Sequence, residues 1–210
     1  MSPYWKFRMM SLGFGWLLIL MQPEFAGAAD KPTDRWTENL NTNKIDGSKD
    51  FFLSVRADNA IGTGFRNLLT FPVLSIYCDY SKRSTNIQVD AKLPLKEDNF
   101  HKVQVRYRIY GYQPVTEAWD ISTDNVAILR PAKDENYNYA VSMARSSNHW
   151  AVSRASSSKV IFEFMTQDGR VETVEFSLLG LENHLPKVAQ ACGWDYQKVW
   201  REAQEPGEQP

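Results

Sequence analysis

Only two cysteines and three histidines occur in 210 residues, and their scarcity closes off several chemistries. Cys78 and Cys192 are far too distant in sequence for a C-x-x-C redox motif. His101, His149 and His184 are scattered, with no H-E-x-x-H or comparable ligand spacing, so each reads as a surface or turn residue and no metal is expected. There is no G-x-S-x-G, so the run Ser156-Ser157-Ser158 reads as a turn and not as a nucleophile. Gly62-Thr63-Gly64 lacks a following Gly-Lys-Ser and reads as a loop, not as a phosphate cradle. Excess charge is missing as well: the formal net charge is -1. That balance supplies no field to draw in nucleic acid or an anionic membrane surface, and no cofactor is expected.

Long apolar runs are also missing. The longest, Met9 to Met21, falls short of the roughly 20 residues that cross a bilayer. It follows the basic residues Lys6 and Arg8, is broken by Pro23, and precedes Ala26-Gly27-Ala28, an A-x-A cleavage site. Residues 1–28 therefore read as a removable export signal, and the protein is expected in the periplasm. Of the 24 basic and 25 acidic side chains, Lys6, Arg8 and Glu24 leave with the leader, so a mature chain of 182 residues carries 22 and 24. No membrane span is expected in it. Its length suits one domain with its own core.

What the mature chain does contain is strand pattern. Short runs rich in β-branched and aromatic residues predict strands over 51–56, 73–79, 85–91, 102–109, 117–122, 127–130, 159–165 and 171–178. Leu74, Ile76, Cys78 and Tyr80 share one face of their run and Ser75, Tyr77 and Asp79 the other, which points Cys78 into the core. Val103, Val105, Tyr107 and Ile109 alternate with Gln104, Arg106 and Arg108, as in a strand with one wet face. The runs at 159–165 and 171–178 flank Gln167-Asp168-Gly169-Arg170, a hairpin with Asp-Gly at its centre. Near the C-terminus Leu185, Val188, Ala189 and Cys192 form one helical stripe, with Asn183 as the cap, Pro186 in the first turn and Gly193 at the stop. A weaker helical pattern covers about 135–145.

The expected fold is mainly β: a single antiparallel, β-sandwich-like or strongly bent domain over 51–201. A polar arm over 29–50 is anchored by Trp36, and a disordered tail covers 202–210. Both cysteines lie on predicted core faces of an exported chain, so a Cys78–Cys192 disulfide should tie the closing helix to the sheet. Candidate interaction residues are few. Arg106 and Arg108 share a wet face and suit bidentate recognition of a carboxylate, against the plainer expectation of pairing with acids on adjacent strands. Trp119 is by default a core residue, and marks a contact surface only if exposed. Glu117 and Asp120 are the nearest approach to an acid and base pair, and read better as solvated charges at a strand end. No catalytic residue is assigned.

Several short motifs occur in a telling order. Trp36 is followed by Ile45-Asp46-Gly47-Ser48-Lys49-Asp50, Leu74-Ser75-Ile76-Tyr77-Cys78 and Val105-Arg106-Tyr107-Arg108. Then come Trp119-Asp120-Ile121-Ser122-Thr123-Asp124, Phe176-Ser177-Leu178-Leu179-Gly180-Leu181 and Ala191-Cys192-Gly193-Trp194. Over residues 36–194 this order resembles the VasI/TagO family, which is associated with type VI secretion systems. The resemblance implies an exported, non-enzymatic accessory protein whose partner belongs to the secretion apparatus or the cell envelope. It carries over no catalytic residues. Two other classes compete with it: a periplasmic binding or inhibitor module for a peptidoglycan enzyme, and a hydrolase with a carboxylate pair from separate strands.

Overall fold

The computed structural model describes residues 34–42, 47, 49–62, 68–79, 82–131, 136–150 and 158–202, all within the unit Pro32–Pro210. The leader, Tyr80, Thr63 and Gly64, Ser156 and Ser157, the side chain of His149 and the tail from 203 onward lie outside the described residues.

Among the described residues nine strands form one antiparallel sheet. In chain order they are β1 (Thr37–Thr42), β2 (Lys49–Arg56), β5 (Val73–Asp79), β6 (Ser84–Asp90), β7 (Lys102–Ile109), β8 (Val115–Ile121), β9 (Ala127–Leu129), β10 (Lys159–Met165) and β11 (Val171–Ser177). A two-residue pair, β3 (Ile61–Gly62) with β4 (Leu69–Thr70), stands apart from the sheet. Across the sheet the order is β1-β2-β5-β6-β9-β8-β7-β10-β11. The strongly bent sheet, and not two separate layers, is therefore the form the β domain takes.

The bend brings the end of β2 to the far edge. Asp58 donates its backbone N–H to the Glu175 carbonyl at 2.7 Å. The Asn59 side-chain amide donates to the Thr173 carbonyl and its oxygen accepts from the Glu175 N–H, each at 2.8 Å. Asn59 thus stands in for a neighbouring strand, so part of the β11 edge is covered where an open ladder would invite aggregation. The sheet curls round a core of inward residues, with Leu53, Leu74, Ile76, Ile87, Trp119, Ile128, Phe162 and Phe176 fully buried.

Two helices, α1 (Asn136–Trp150) and α2 (Leu181–Cys192), pack on each other and on the inner face. The buried stripe of α2 is Leu181, Leu185, Val188, Ala189 and Cys192. This helix begins two residues before the expected cap: Gly180, left-handed at φ 85, is the N-cap, and Asn183 lies in the first turn. Pro186 consequently falls in the second turn, where it has no N–H to donate. Gly193 ends the helix in the left-handed conformation and donates its N–H to Ala189, as expected. At that end Cys192 bridges Cys78 of β5, with Cα atoms 5.4 Å apart. A third helix, α3 (Tyr196–Glu202), is capped where Asp195 accepts the Lys198 N–H at 2.9 Å; the strand-centred pattern did not predict it.

One expectation gains detail and another needs correction. Part of the polar arm is strand β1, whose residues pair with β2 from Thr37 opposite Ser54 to Thr42 opposite Lys49. The hairpin turn is centred on Gln167-Asp168: the Gly169 N–H reaches the Thr166 carbonyl at 2.9 Å, and Gly169 itself is the left-handed residue that follows at φ 84. Asp-Gly was one position off because the glycine is needed after the turn, not inside it.

Candidate functional site

Strand phase places Arg106 and Arg108 on the outer face of β7, as the alternation predicted; both are exposed. Register then sets their neighbours. Arg106 stands opposite Glu163 of β10, while Arg108 stands opposite Ile161, which is in turn opposite Glu175 of β11. Arg106 reaches Glu163 through one contact of 3.3 Å; the arginine side chain is exposed and the glutamate half-buried. Glu175 is engaged elsewhere: Lys159 lies 2.8 Å from it and 3.2 Å from Asp58. The bond to Glu175, then that to Asp58, holds the Lys159 ammonium above its ordinary pKa despite partial burial. Arg108 has no ion-pair partner among the described residues. Beside it a depression of about 240 Å³ is lined by Arg106, Arg108, Ile161, Thr173 and the acids Glu163 and Glu175, among others.

The third candidate, Trp119, is not a surface residue. It is 0% exposed on the inner face, in tilted and edge contact with Tyr107 and Phe162 at 5.9 and 5.6 Å, so it offers no contact surface to a partner. The carboxylate pair also separates. Glu117 points inward with Trp119, whereas Asp120 points outward and takes Lys102 at 2.8 Å. Residues an odd number apart on a strand face opposite ways, so Glu117 and Asp120 do not share a cleft.

Glu117 instead belongs to a buried network. Arg130, whose side chain is 10% exposed, grips it bidentately: Nε to Oε2 at 3.1 Å and Nη2 to Oε1 at 3.2 Å. The Trp119 indole N–H donates to Oε2 at 3.2 Å, and Arg130 Nη1 donates to Asn136 of α1 at 2.8 Å. Arg130 also lies 4.7 Å from the Tyr139 ring, and Tyr107 meets that ring edge-on at 5.2 Å. Burial works against the Arg130 charge, but the bonds from Glu117 outweigh it and raise its pKa. Burial, followed by the negative Glu117, pushes the Tyr107 phenol up to about 12. Burial likewise lifts Tyr139 well above its ordinary value, and its hydroxyl has no hydrogen-bond partner among the described residues. Both oxygens of Glu117 are occupied by donors, which makes the network a clamp between strand and helix and leaves no free carboxylate to act as a base.

His184, expected at the surface or in a turn, is another node. Its Nδ1 lies 2.5 Å from Glu38 and its Nε2 2.7 Å from Asp34, while Lys187 holds both oxygens of Glu38 at 2.7 and 2.8 Å. These contacts tie the N-terminal strand to α2. Asp34 also packs over Gly180, where a Cβ would run into its carboxylate. Burial opposes the imidazolium, but Glu38 and Asp34 outweigh it and raise the His184 pKa. Lys187 first and His184 second hold Glu38 below its ordinary value. Neither clamp carries a local sequence signal, since their members lie up to 150 residues apart. Among the described residues no cluster of three or more His, Cys, Asp or Glu has metal-binding geometry, and no helix is long and apolar enough to cross a membrane. Comparison with known proteins returns no match to a protein family, a curated protein or a solved structure.

Proposed function

We propose that this protein is an exported, non-enzymatic accessory factor of a type VI secretion system, acting in the periplasm through contacts with the apparatus or the cell envelope. The observation that carries export is the Cys78–Cys192 bridge, set on the inner face between β5 and α2. Such bridges form and persist in oxidising compartments. The link to secretion is supported by the ordered VasI/TagO-like motifs. A binding role is supported by the exposed Arg106 and Arg108, and a hydrolytic one is disfavoured by Glu117 and Asp120 facing opposite sides of β8.

Deleting the gene and measuring release of the apparatus's tube protein tests the secretion role. Release should fall on deletion and return with the wild-type chain; unchanged release rejects it. Mass spectrometry of the periplasmic protein should read an N-terminus at or next to Ala29, and intact Met1 protein confined to the cytoplasm rejects export. The second reading, an inhibitor or binding module for a peptidoglycan enzyme, is favoured by the groove beside Arg108. It calls for slowed peptidoglycan turnover when the purified domain is added to such an enzyme.

A further inference from the structure

We propose that residues 34–42 are a pH-sensitive strap, fastened while the His184 ring is protonated and loosened, with the rest of the domain still folded, when that proton leaves. The device does not depend on which system the protein serves. Its basis is the number of protons on one ring. Nδ1 of His184 lies 2.5 Å from Glu38 and Nε2 lies 2.7 Å from Asp34, so a carboxylate sits at each nitrogen. Only the imidazolium has an N–H at both positions; the neutral ring keeps one and turns a lone pair toward the other acid. Losing the proton therefore replaces one bond of the strap by a repulsion. Glu38 keeps Lys187 at 2.7 and 2.8 Å whichever form the ring takes. Asp34 has, among the described residues, only the Trp36 N–H of its own segment besides, at 3.0 Å. The Asp34 end is thus the one that comes free.

The other charges of the elements around α2 are engaged away from the ring. On α2 itself Lys187 is committed to Glu38, and Glu182 lies toward Tyr196, whose phenol is pushed up to about 12 by burial and then by that carboxylate. Arg35 of the strap turns to Asp58. In β2, Lys49 stands opposite Thr42, four residues and roughly 13 Å along the strand from Leu53, the residue opposite Glu38. Asp50 and Arg56 share the outer phase of Phe52 and Ser54. Asp79 of β5 pairs with Lys82, and Asp90 of β6 with Lys92. Arg145 of α1 lies over Trp200, while in α3 Lys198 reaches Glu202 and Arg201 donates to the Gln197 carbonyl.

The strap is also local enough to move by itself. β1 is the edge strand, paired with β2 only and exposed along most of its length, so few apolar contacts resist its loosening. Trp36 is buried and stays as the anchor, which limits the change to a loosening. Burial opposes the imidazolium, but Glu38 and then Asp34 outweigh it and raise its pKa above the ordinary 6.5. The strap is therefore fastened below pH 6.5 and loosens as pH rises through the higher folded value. Glu38, held low first by Lys187 and then by His184, sets the acid limit, since fastening is lost again as pH falls through its lowered value.

The test is hydrogen exchange of the mature, oxidised protein, read by mass spectrometry from about pH 6 to about pH 9 and corrected for the intrinsic rise of exchange rate with pH. Protection of residues 34–42 should fall by roughly twofold to fivefold, the size expected of a partly exposed ion pair, while β10 keeps its protection. His184→Gln should hold the strap at the loosened level at every pH. An equal fall in His184→Gln would overturn the strap, as would unchanged protection of 34–42 or an equal fall in β10, which is general unfolding. Should that variant not fold, NMR of the wild-type protein decides: the Asp34 and Gly180 amides should shift with the midpoint of the His184 ring, and a different midpoint would overturn the proposal.

Discussion

The same chemical pair, arginine with glutamate, occurs on both faces of the curled sheet and does different work on each. Inside, Arg130 and Glu117 have side chains 10% and 22% exposed, meet through two parallel bonds, and are bonded further by Asn136 and Trp119 respectively. Outside, Arg106 and Glu163 are 59% and 36% exposed and share one contact of 3.3 Å. An enclosed pair is costly to break because the surviving charge is stranded; a solvated pair is screened and contributes little. The inner pair is thus suited to fixing how α1 sits on the strands, and the outer one adds little to the fold.

The largest expected break in this comparison is Arg130→Met, which strands Glu117 and should lower stability by about 3 to 5 kcal/mol in urea unfolding. Replacing both partners together, as Glu117→Gln with Arg130→Met, should cost clearly less. A double variant as unstable as the single one would mean that the network matters through packing and not through charge. Next comes the other fastening of the inner face. Cys78→Ser or Cys192→Ser opens a bridge spanning 114 residues and should cost roughly 2 to 5 kcal/mol. Two free thiols in the denatured, unreduced protein would contradict the bridge itself.

The N-terminal clamp lies between the two extremes, and pH sharpens it. With its folded pKa raised, His184 contributes fully below its ordinary value of 6.5, and that contribution is lost as pH rises through the higher folded value. Glu38 runs the other way, contributing above its ordinary 4.5 and losing that contribution as pH falls through its lowered folded value. His184→Gln should flatten the decline in stability above pH 6.5, by about 1 kcal/mol or less. A decline that survives the substitution would assign it to other groups. The smallest effect is expected outside, where Arg106→Gln should change the unfolding free energy by less than about 1 kcal/mol. A loss as large as that of Arg130→Met would erase the distinction between the faces.

How much of this was legible in the sequence depends on how local each feature is. β5, β7 and β10 begin and end at the residues where their alternation begins and ends, because side chains of one strand buried on one face must repeat every second residue. β1 was hidden: Thr37–Thr42 is an edge strand, exposed along most of its length, so it is held by its ladder to β2 and by Glu38 and needs no apolar face. α1 was faint because its buried residues include the small Ala140 and Ala144 together with Asn136 and Ser146. Their polar atoms are satisfied by Arg130 and by the Tyr110 carbonyl, contacts that a polar stretch of sequence does not announce. Glu117 was misread as a strand-end charge because β8 starts two residues earlier, at Val115, which puts that carboxylate inside the strand and on the inner face.

By itself the sequence determined the phase of the strands, the apolar stripe of α2 and the placing of both cysteines on core faces, since each follows from the repeat of a single element. Only the tertiary structure decided that the sheet bends until Asn59 meets β11, that Arg130 takes Glu117, that His184 takes Asp34 and Glu38, and that Arg108 is left opposite Ile161. The physical reason is that a residue's face is set by its immediate neighbours along the chain, whereas its partner is set by register and curl between strands distant in sequence. A shift of two residues in that register would keep every side chain on its face and exchange every partner.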